Sequence, residues 1–281
     1  MTEYPLLTQE LFLKRGNLKV NRCITIEYTG DVALIKMIRG DKLNPLDIEA
    51  GVEINRALDE ISARGVRALL ITGTGRGFSA GGDIKGMLDS VESGDPEKFM
   101  DDLTRELYAI GLKLRKLPFP VIAAVNGHAA GAGMNLALCS DYIIASEKAM
   151  FAQSFSKLAL IPGFGGTHLL VNQLTWQKAC EIAFTGDAFT ALEMKELGFV
   201  NKVVQDDLLI SEAMLIAEKF ANGPTLAYAR TKELFLRAMG APFEEHLSYE
   251  RGLQVSSAGT DDYAEGVRAM NRSVKPEFKG R

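Results

Sequence analysis

The chain has 281 residues, 47% of them hydrophobic and 24% charged. That composition fits one large globular domain with a small appendage and excludes a disordered chain, a collagen-like fibre and a disulfide scaffold. The formal net charge of −4 supplies no global basic field to recruit nucleic acid or an anionic membrane.

Residues 1–22 are mixed in character and read as an N-terminal extension. Ile24–Tyr28 and Val32–Met37 flank Thr29-Gly30-Asp31 and predict a β-hairpin. Asn44-Pro45 breaks the chain, and Asp47 can cap a helix from Ile48 to about Ala63. Ala68–Thr72 and Val121–Val125 are short apolar strands, separated by a helical pattern over 96–117 that Pro118-Phe119-Pro120 stops. A short helix to Ser140, strands at Tyr142–Ala145 and Met150–Ala152, and a helix opening at Thr167 follow. From Trp176 onward the pattern is helical over 176–184, 190–197, 207–221, 224–239, 243–257 and 261–271, with one strand at Phe199–Val204. Strands alternating with helices to about residue 205 imply an α/β core with a largely parallel sheet. The expected division is extension 1–22, core 23–205 and a C-terminal helical region 206–281.

Cys23, Cys139 and Cys180 form no CxxC pair or zinc spacing and read as reduced thiols. No apolar run is long enough to span a membrane, and no secretory pattern opens the chain. The expectation is a cytoplasmic protein with no metal.

Glycine is unusually frequent, 27 of the 281 residues. Twelve of these fall in three clusters, at 73–86, 127–133 and 163–166. None matches G-x-G-x-x-G or a P-loop, which excludes nucleotide-phosphate binding of those two kinds. Gly77-Phe78-Ser79-Ala80-Gly81 matches the G-x-S-x-G nucleophile elbow, and His128, His168 and His246 lie downstream. A serine hydrolase using Ser79 is therefore one alternative, although an elbow needs an immediate strand-to-helix turn and the strand here ends near Thr72. The other reading is a backbone anion hole. Two loops that aim N–H groups at one oxygen need small residues so that a ligand can approach. Two close-packed turns without a ligand would leave the same sequence signature.

Gly75–Ile84, Pro120–Gly133 and Ile161–Thr167 resemble the three signature stretches of the crotonase (enoyl-CoA hydratase/isomerase) superfamily, and Lys42–Leu46 resembles its CoA-contacting segment. The resemblance runs in order from about Ile24 to Phe278. It implies a spiral of ββα units with a C-terminal helical region for trimerisation, giving a homotrimer or a dimer of trimers. It implies an acyl-CoA ligand, with coenzyme A part of the substrate and no separate cofactor. The backbone N–H groups of Gly82 and Ala132 would hold the thioester oxygen while an enolate forms. Lys42, Leu43, Ala80, Asp83 and Ile84 would line the CoA side, with His128 beside the second loop and Phe278 and Lys279 reaching CoA from the C-terminal region.

The chain departs from the family where acid/base groups belong. Hydratases carry glutamates at the positions of Asn135 and Phe155, and isomerases keep one acid at the position of Gly163. Neither amide nor phenyl takes a proton at neutral pH. Phe155 in Ser154–Leu158 is closest in pattern to the isomerase-like branch, so double-bond shifting is preferred to hydration. A catalytically silent acyl-CoA-binding homologue is the other alternative. Of the remaining polar candidates, His168 reads as an exposed helical residue, Asp83 as a cap, Asp141 as structural and Trp176 as core or interface.

Overall fold

The computed structural model describes residues 19–281. The expected N-terminal extension therefore lies almost wholly outside the described residues.

Seven strands form the main sheet: β1 (Lys19–Val20), β2 (Ile24–Thr29), β3 (Val32–Met37), β4 (Ala68–Gly73), β6 (Val121–Val125), β8 (Tyr142–Ser146) and β11 (Lys202–Val204), side by side in that order. The first three pair antiparallel, and β3 through β11 run parallel. A second sheet of four short strands is ordered β10 (Ala188–Thr190), β9 (Met150–Ala152), β7 (His128–Ala130) and β5 (Gly77–Ser79). Each parallel strand of the main sheet from β4 to β8 is followed by a strand of the small sheet and then by helix. This is the ββα repeat expected of the crotonase spiral.

The hydrophobic pattern explains the layers. Along β3, β4 and β6, side chains alternate between two cores. Ile35, Leu69, Ile71 and Val121 face the large core between the sheets and α1 (Ile48–Arg64) and α3 (Pro96–Lys116). Leu34, Leu70 and Ile122 face a smaller core under α8 (Leu209–Ala221). Both faces are covered, so these strands read as continuous apolar runs.

Helix α1 starts where the sequence places it. The Asp47 carboxylate accepts the Ala50 N–H at 2.8 Å, and Gly65 (φ 77°) ends the helix in the left-handed region. Its inward face carries Ala50, Ile54, Leu58 and Ile61. Two features go unread in the sequence, and one expected strand bound moves. A separate α2 (Ile84–Ser93) follows the first glycine cluster. Strands β5, β7 and β10 make up most of the second sheet. The strand expected at Phe199–Val204 begins only at Lys202. Before it, the N–H groups of Phe199 and Val200 both bond the Met194 carbonyl, closing α7 (Ala191–Glu196).

The remaining helices are α4 (Ala132–Leu138), α5 (Gly166–Val171), α6 (Trp176–Thr185), α9 (Thr225–Ala238), α10 (Phe243–Ala258) and α11 (Asp261–Arg272). The chain is thus helical from residue 209 onward apart from its turns and tail. Among the described residues no helix is long and apolar enough to cross a membrane.

Candidate active site

Because β4 and β6 are parallel neighbours, the loops that follow them emerge at the same edge of the sheet. Two asparagines pin them there. Asn126 accepts the Gly73 N–H at 3.1 Å and donates to the Gly75 and Gly77 carbonyls. Asn44, buried in the left-handed region (φ 51°), donates to the Thr74 and Gly77 carbonyls at 3.0 and 2.9 Å. The segment around Asn44 is tied down further. Ala80 N–H bonds the Leu43 carbonyl, and Leu46 N–H bonds that of Gly81, both at 2.8 Å.

Glycine lets the two loops touch. A Cβ on Gly81 (φ 89°) would lie 2.5 Å from the Ala130 carbonyl oxygen, and one on Gly133 would lie 2.3 Å from that of Ser79. Such contacts are open only to glycine. Gly81 is also beside the Ala132 nitrogen, 3.1 Å from the site of its missing Cβ. Among the described residues neither the Gly82 N–H nor the Ala132 N–H has a backbone acceptor. Both residues line a cavity of about 280 Å³. Ser79 does not line it. Its side chain is buried, donating to the Asn44 carbonyl at 2.8 Å and accepting from the Gly81 N–H at 3.1 Å. The hydroxyl is committed to backbone, and the nucleophile elbow is not formed.

One wall of the cavity is a helical stripe that the sequence reading missed. Met100, Leu103, Thr104, Leu107 and Tyr108 on α3 all face it, at the i, i+3, i+4, i+7, i+8 spacing of one helix face. The lining also includes Phe155, Ile161 and Gly163. Among the described residues no Asp, Glu, His, Lys or Arg lines the cavity.

The three positions where carboxylates were sought have different surroundings. Asn135 is fully buried beneath the third glycine turn. It donates to the Gly163 carbonyl at 2.8 Å and accepts from the Gln153 amide at 2.6 Å. That makes it a brace for the turn rather than a wall of the cavity. Phe155 and Gly163 do face the cavity. A Cβ on Gly163 would lie 3.0 Å from the Tyr108 hydroxyl oxygen.

Of the expected CoA-side residues, Ala80 and Ile84 line the cavity. Lys42 is exposed at the end of a short 3-10 turn, and Leu43 (φ 59°) follows it, half-buried. Asp83 caps α2 by accepting the Lys85 N–H at 3.1 Å. His128 is exposed at the start of β7. Phe278 and Lys279 lie elsewhere. The Phe278 carbonyl accepts from Arg67, which precedes β4, at the end of the sheet opposite the glycine loops. The Lys279 and Gly280 N–H groups bond the Asp262 carboxylate at 2.6 and 2.8 Å. Neither residue lines the cavity of its own chain.

The remaining candidates are also apart from it. His168 is exposed on α5, 3.2 Å from the Met239 sulfur, and His246 on α10 faces Glu250. Trp176 is 70% exposed, which excludes the core role. Among the described residues no three His, Cys, Asp or Glu side chains converge to hold a metal ion.

The Lys42–Leu46 segment is held by an ion pair just beyond it. Arg39 donates to Asp47 at 2.5 Å and to the Pro45 carbonyl at 2.6 Å. Burial opposes charge on Asp47, but the Arg39 guanidinium and the Ala50 N–H outweigh it and hold the carboxyl below the usual range. One carboxylate thus caps α1 and anchors the loop that carries Leu43.

The sequence profile of the enoyl-CoA hydratase/isomerase family matches residues 27–281. The chain belongs to that family. It is 38% identical over 255 residues to a Dictyostelium discoideum protein named as a probable mitochondrial enoyl-CoA hydratase, covering 90% of each chain. It is 35% identical to the 1,2-epoxyphenylacetyl-CoA isomerase of Escherichia coli, covering 89% of this chain and 95% of that one. A solved enoyl-CoA hydratase from a Polaromonas species superposes with a TM-score of 0.87 at 30% identity, over 91% of this chain and 99% of its own. The fold is the crotonase fold.

Proposed function

We propose that the chain is an acyl-CoA isomerase that shifts a double bond through an enolate. The Gly82 and Ala132 N–H groups would hold the thioester oxygen, and the acyl group would lie along the α3 stripe. The observation that carries this reading is the pairing of two acceptor-free N–H groups with an apolar cavity. Donors fixed at the place where charge develops stabilise an enolate without reorganising during the reaction. Isomerisation is preferred to hydration because Phe155, where hydratases carry a glutamate, matches the pattern of the isomerase-like branch that the chain resembles.

The test is incubation with 3-enoyl-CoA thioesters in deuterium oxide. The expected result is conversion to the 2-enoyl isomer with deuterium entering the acyl chain. Replacing Gly82 with proline deletes one donor and should lower turnover by roughly a hundredfold or more. Undiminished turnover would overturn the oxyanion assignment. The carboxylate-free lining favours one other reading, a silent acyl-CoA binder, which would bind thioesters and exchange nothing.

The same reading includes a homotrimer or a dimer of trimers in the cytoplasm. Trp176, Phe184, Phe243 and Met270 are each at least 70% exposed, and such apolar surface supports subunit contacts. All three cysteines are free, and burial pushes the thiols of Cys23 and Cys139 up to about 12. Sedimentation equilibrium giving a monomer would overturn the assembly.

A further inference from the structure

An enolate needs a group that moves its proton, and the three family positions are occupied by Asn135, Phe155 and Gly163. The structure offers one other group. Tyr108 stands two helical turns beyond Met100 on the cavity face of α3, in the same cavity as Gly82 and Ala132. Its hydroxyl oxygen is 3.0 Å from where a Cβ on Gly163 would be. The phenol therefore occupies the space that a side chain at position 163 would enter. Among the described residues lining the cavity, Tyr108 alone carries a group able to exchange a proton as an ordinary acid or base. The other hydroxyls there, on Thr104 and Ser154, are alcohols, and that of Thr104 is bonded to the Met100 carbonyl at 2.7 Å.

We propose that Tyr108 is the catalytic residue that carries the proton in this enzyme, taking over from α3 the task of the missing acid at position 163. The inference rests on the isomerase reading above. In the step, the phenol of the half-exposed Tyr108 gives its proton to solvent, and the resulting phenolate oxygen takes the α-proton of a 3-enoyl thioester. The C–H pair enters a dienolate whose oxygen is held by the two backbone N–H groups. The phenol then gives a proton to the γ-carbon as the pair moves back and the double bond settles between the α- and β-carbons. One proton leaves the α-carbon and one enters the γ-carbon, so no oxidant is required, and exchange of the phenol O–H with solvent between the two transfers carries deuterium into the acyl chain. The absence of a side chain at Gly163 gains a reason, because a carboxylate there would collide with the phenol.

The test uses the full-length protein, a 3-enoyl-CoA series from butenoyl to decenoyl, and mass spectrometry of deuterium uptake. Tyr108→Phe removes one oxygen from a half-exposed side chain. It should cut isomerisation and exchange by about a hundredfold or more while acyl-CoA binding by calorimetry changes less than about threefold. A purely structural Tyr108 would move binding and melting temperature instead. The second variant adds Gly163→Asp to Tyr108→Phe, restoring a carboxylate where the phenol has been removed. Recovery of exchange in that double variant supports the substitution of one group by the other.

The outcomes separate the two claims. Wild-type exchange in Tyr108→Phe overturns the role of Tyr108 and leaves the isomerase reading standing. A wild-type protein that binds thioesters but exchanges nothing at any chain length overturns both. If Tyr108→Phe fails to fold, the double variant decides: folded, binding and inactive, it overturns the proposal.

Discussion

Two cavities on this molecule handle polarity in opposite ways. The smaller, about 280 Å³, has walls of apolar side chains and takes its strongest polar groups from backbone at Gly82 and Ala132. The larger, about 480 Å³, is lined by charged side chains including Arg115, Asp141 and Lys232. There the charges are spent on one another and on the fold. The Lys232 ammonium donates to Asp141 at 2.6 Å and to the Leu114 and Phe119 carbonyls, while Asp141 also accepts the Val121 N–H. Sheltering from water pushes the Asp141 carboxyl up and the Lys232 ammonium down, each against the pull of the other. The comparison teaches where to look for chemistry in this chain. A carboxylate whose pKa burial raises ties α9 to the start of β6, while among the described residues the candidate site has no carboxylate. A perturbed pKa marks a functional site only when the group also faces a place where substrate can lie.

The largest expected effect belongs to the backbone-built site. Gly133 lies inside α4, where alanine is ordinarily the better helix former. Here an alanine Cβ would meet the Ser79 carbonyl oxygen at 2.3 Å. The clash is with backbone on both sides, so the loops must separate. Gly133→Ala should cost about 2–3 kcal/mol in urea unfolding and abolish most turnover, because the Ala132 N–H moves with it. Full activity in this variant would show that the spacing of the loops is not what sets the donors.

At the charge-built cavity the expected effect is smaller and depends on pH. The Asp141 and Lys232 side chains are 23% and 13% exposed, so solvent screens part of their interaction. Lys232→Met leaves Asp141 without its nearest cation, with only the Val121 N–H and Arg115 still pulling its pKa down. The loss should be about 2 kcal/mol, below that of a fully buried pair. Its sign with pH follows from the direction of the shift. An acid whose folded pKa is raised is most favourable while protonated, and its contribution is lost as pH rises through the folded value. The variant's deficit should therefore be larger near pH 8 than near pH 5 in denaturant titrations. A deficit independent of pH would mean that packing of the lysine stem, not its charge, holds α9.

The same contrast separates what the sequence made legible from what it did not. Helix α1 was readable because Asp47 and Gly65 punctuate it, and β3, β4 and β6 because both of their faces are buried. Strands β5 and β7 have three residues each, too few to carry a period, and exist through partners some fifty residues away in the chain. The glycine loops were found by composition and resemblance together. The α3 stripe was not, because that helix also buries Leu103, Leu107, Ile110 and Leu114 in the core. Two overlapping apolar faces look like one broad face, and Tyr108 at its margin carries no mark of its own. Asn135 was singled out as a position lacking an acid, but its bond to the Gly163 carbonyl depends on two segments that only the fold brings together.

The smallest effect sharpens the border between structure and ligand contact. Resemblance assigns Asp83 to the CoA side, while its carboxylate accepts the Lys85 N–H and starts α2. Alanine at this position should cost about 1 kcal/mol, the ordinary value of an N-cap. Asparagine keeps an acceptor oxygen in the same place and loses only the charge. If capping is the whole role, Asp83→Asn matches the wild type in both unfolding free energy and calorimetric affinity for acyl-CoA, and only Asp83→Ala falls in stability. If the charge is used on the ligand, the asparagine variant keeps its stability and changes its affinity. The capping geometry favours the first outcome. Gly86 is consistent with it, since a Cβ there would lie 2.8 Å from an Asp83 carboxylate oxygen and crowd the cap.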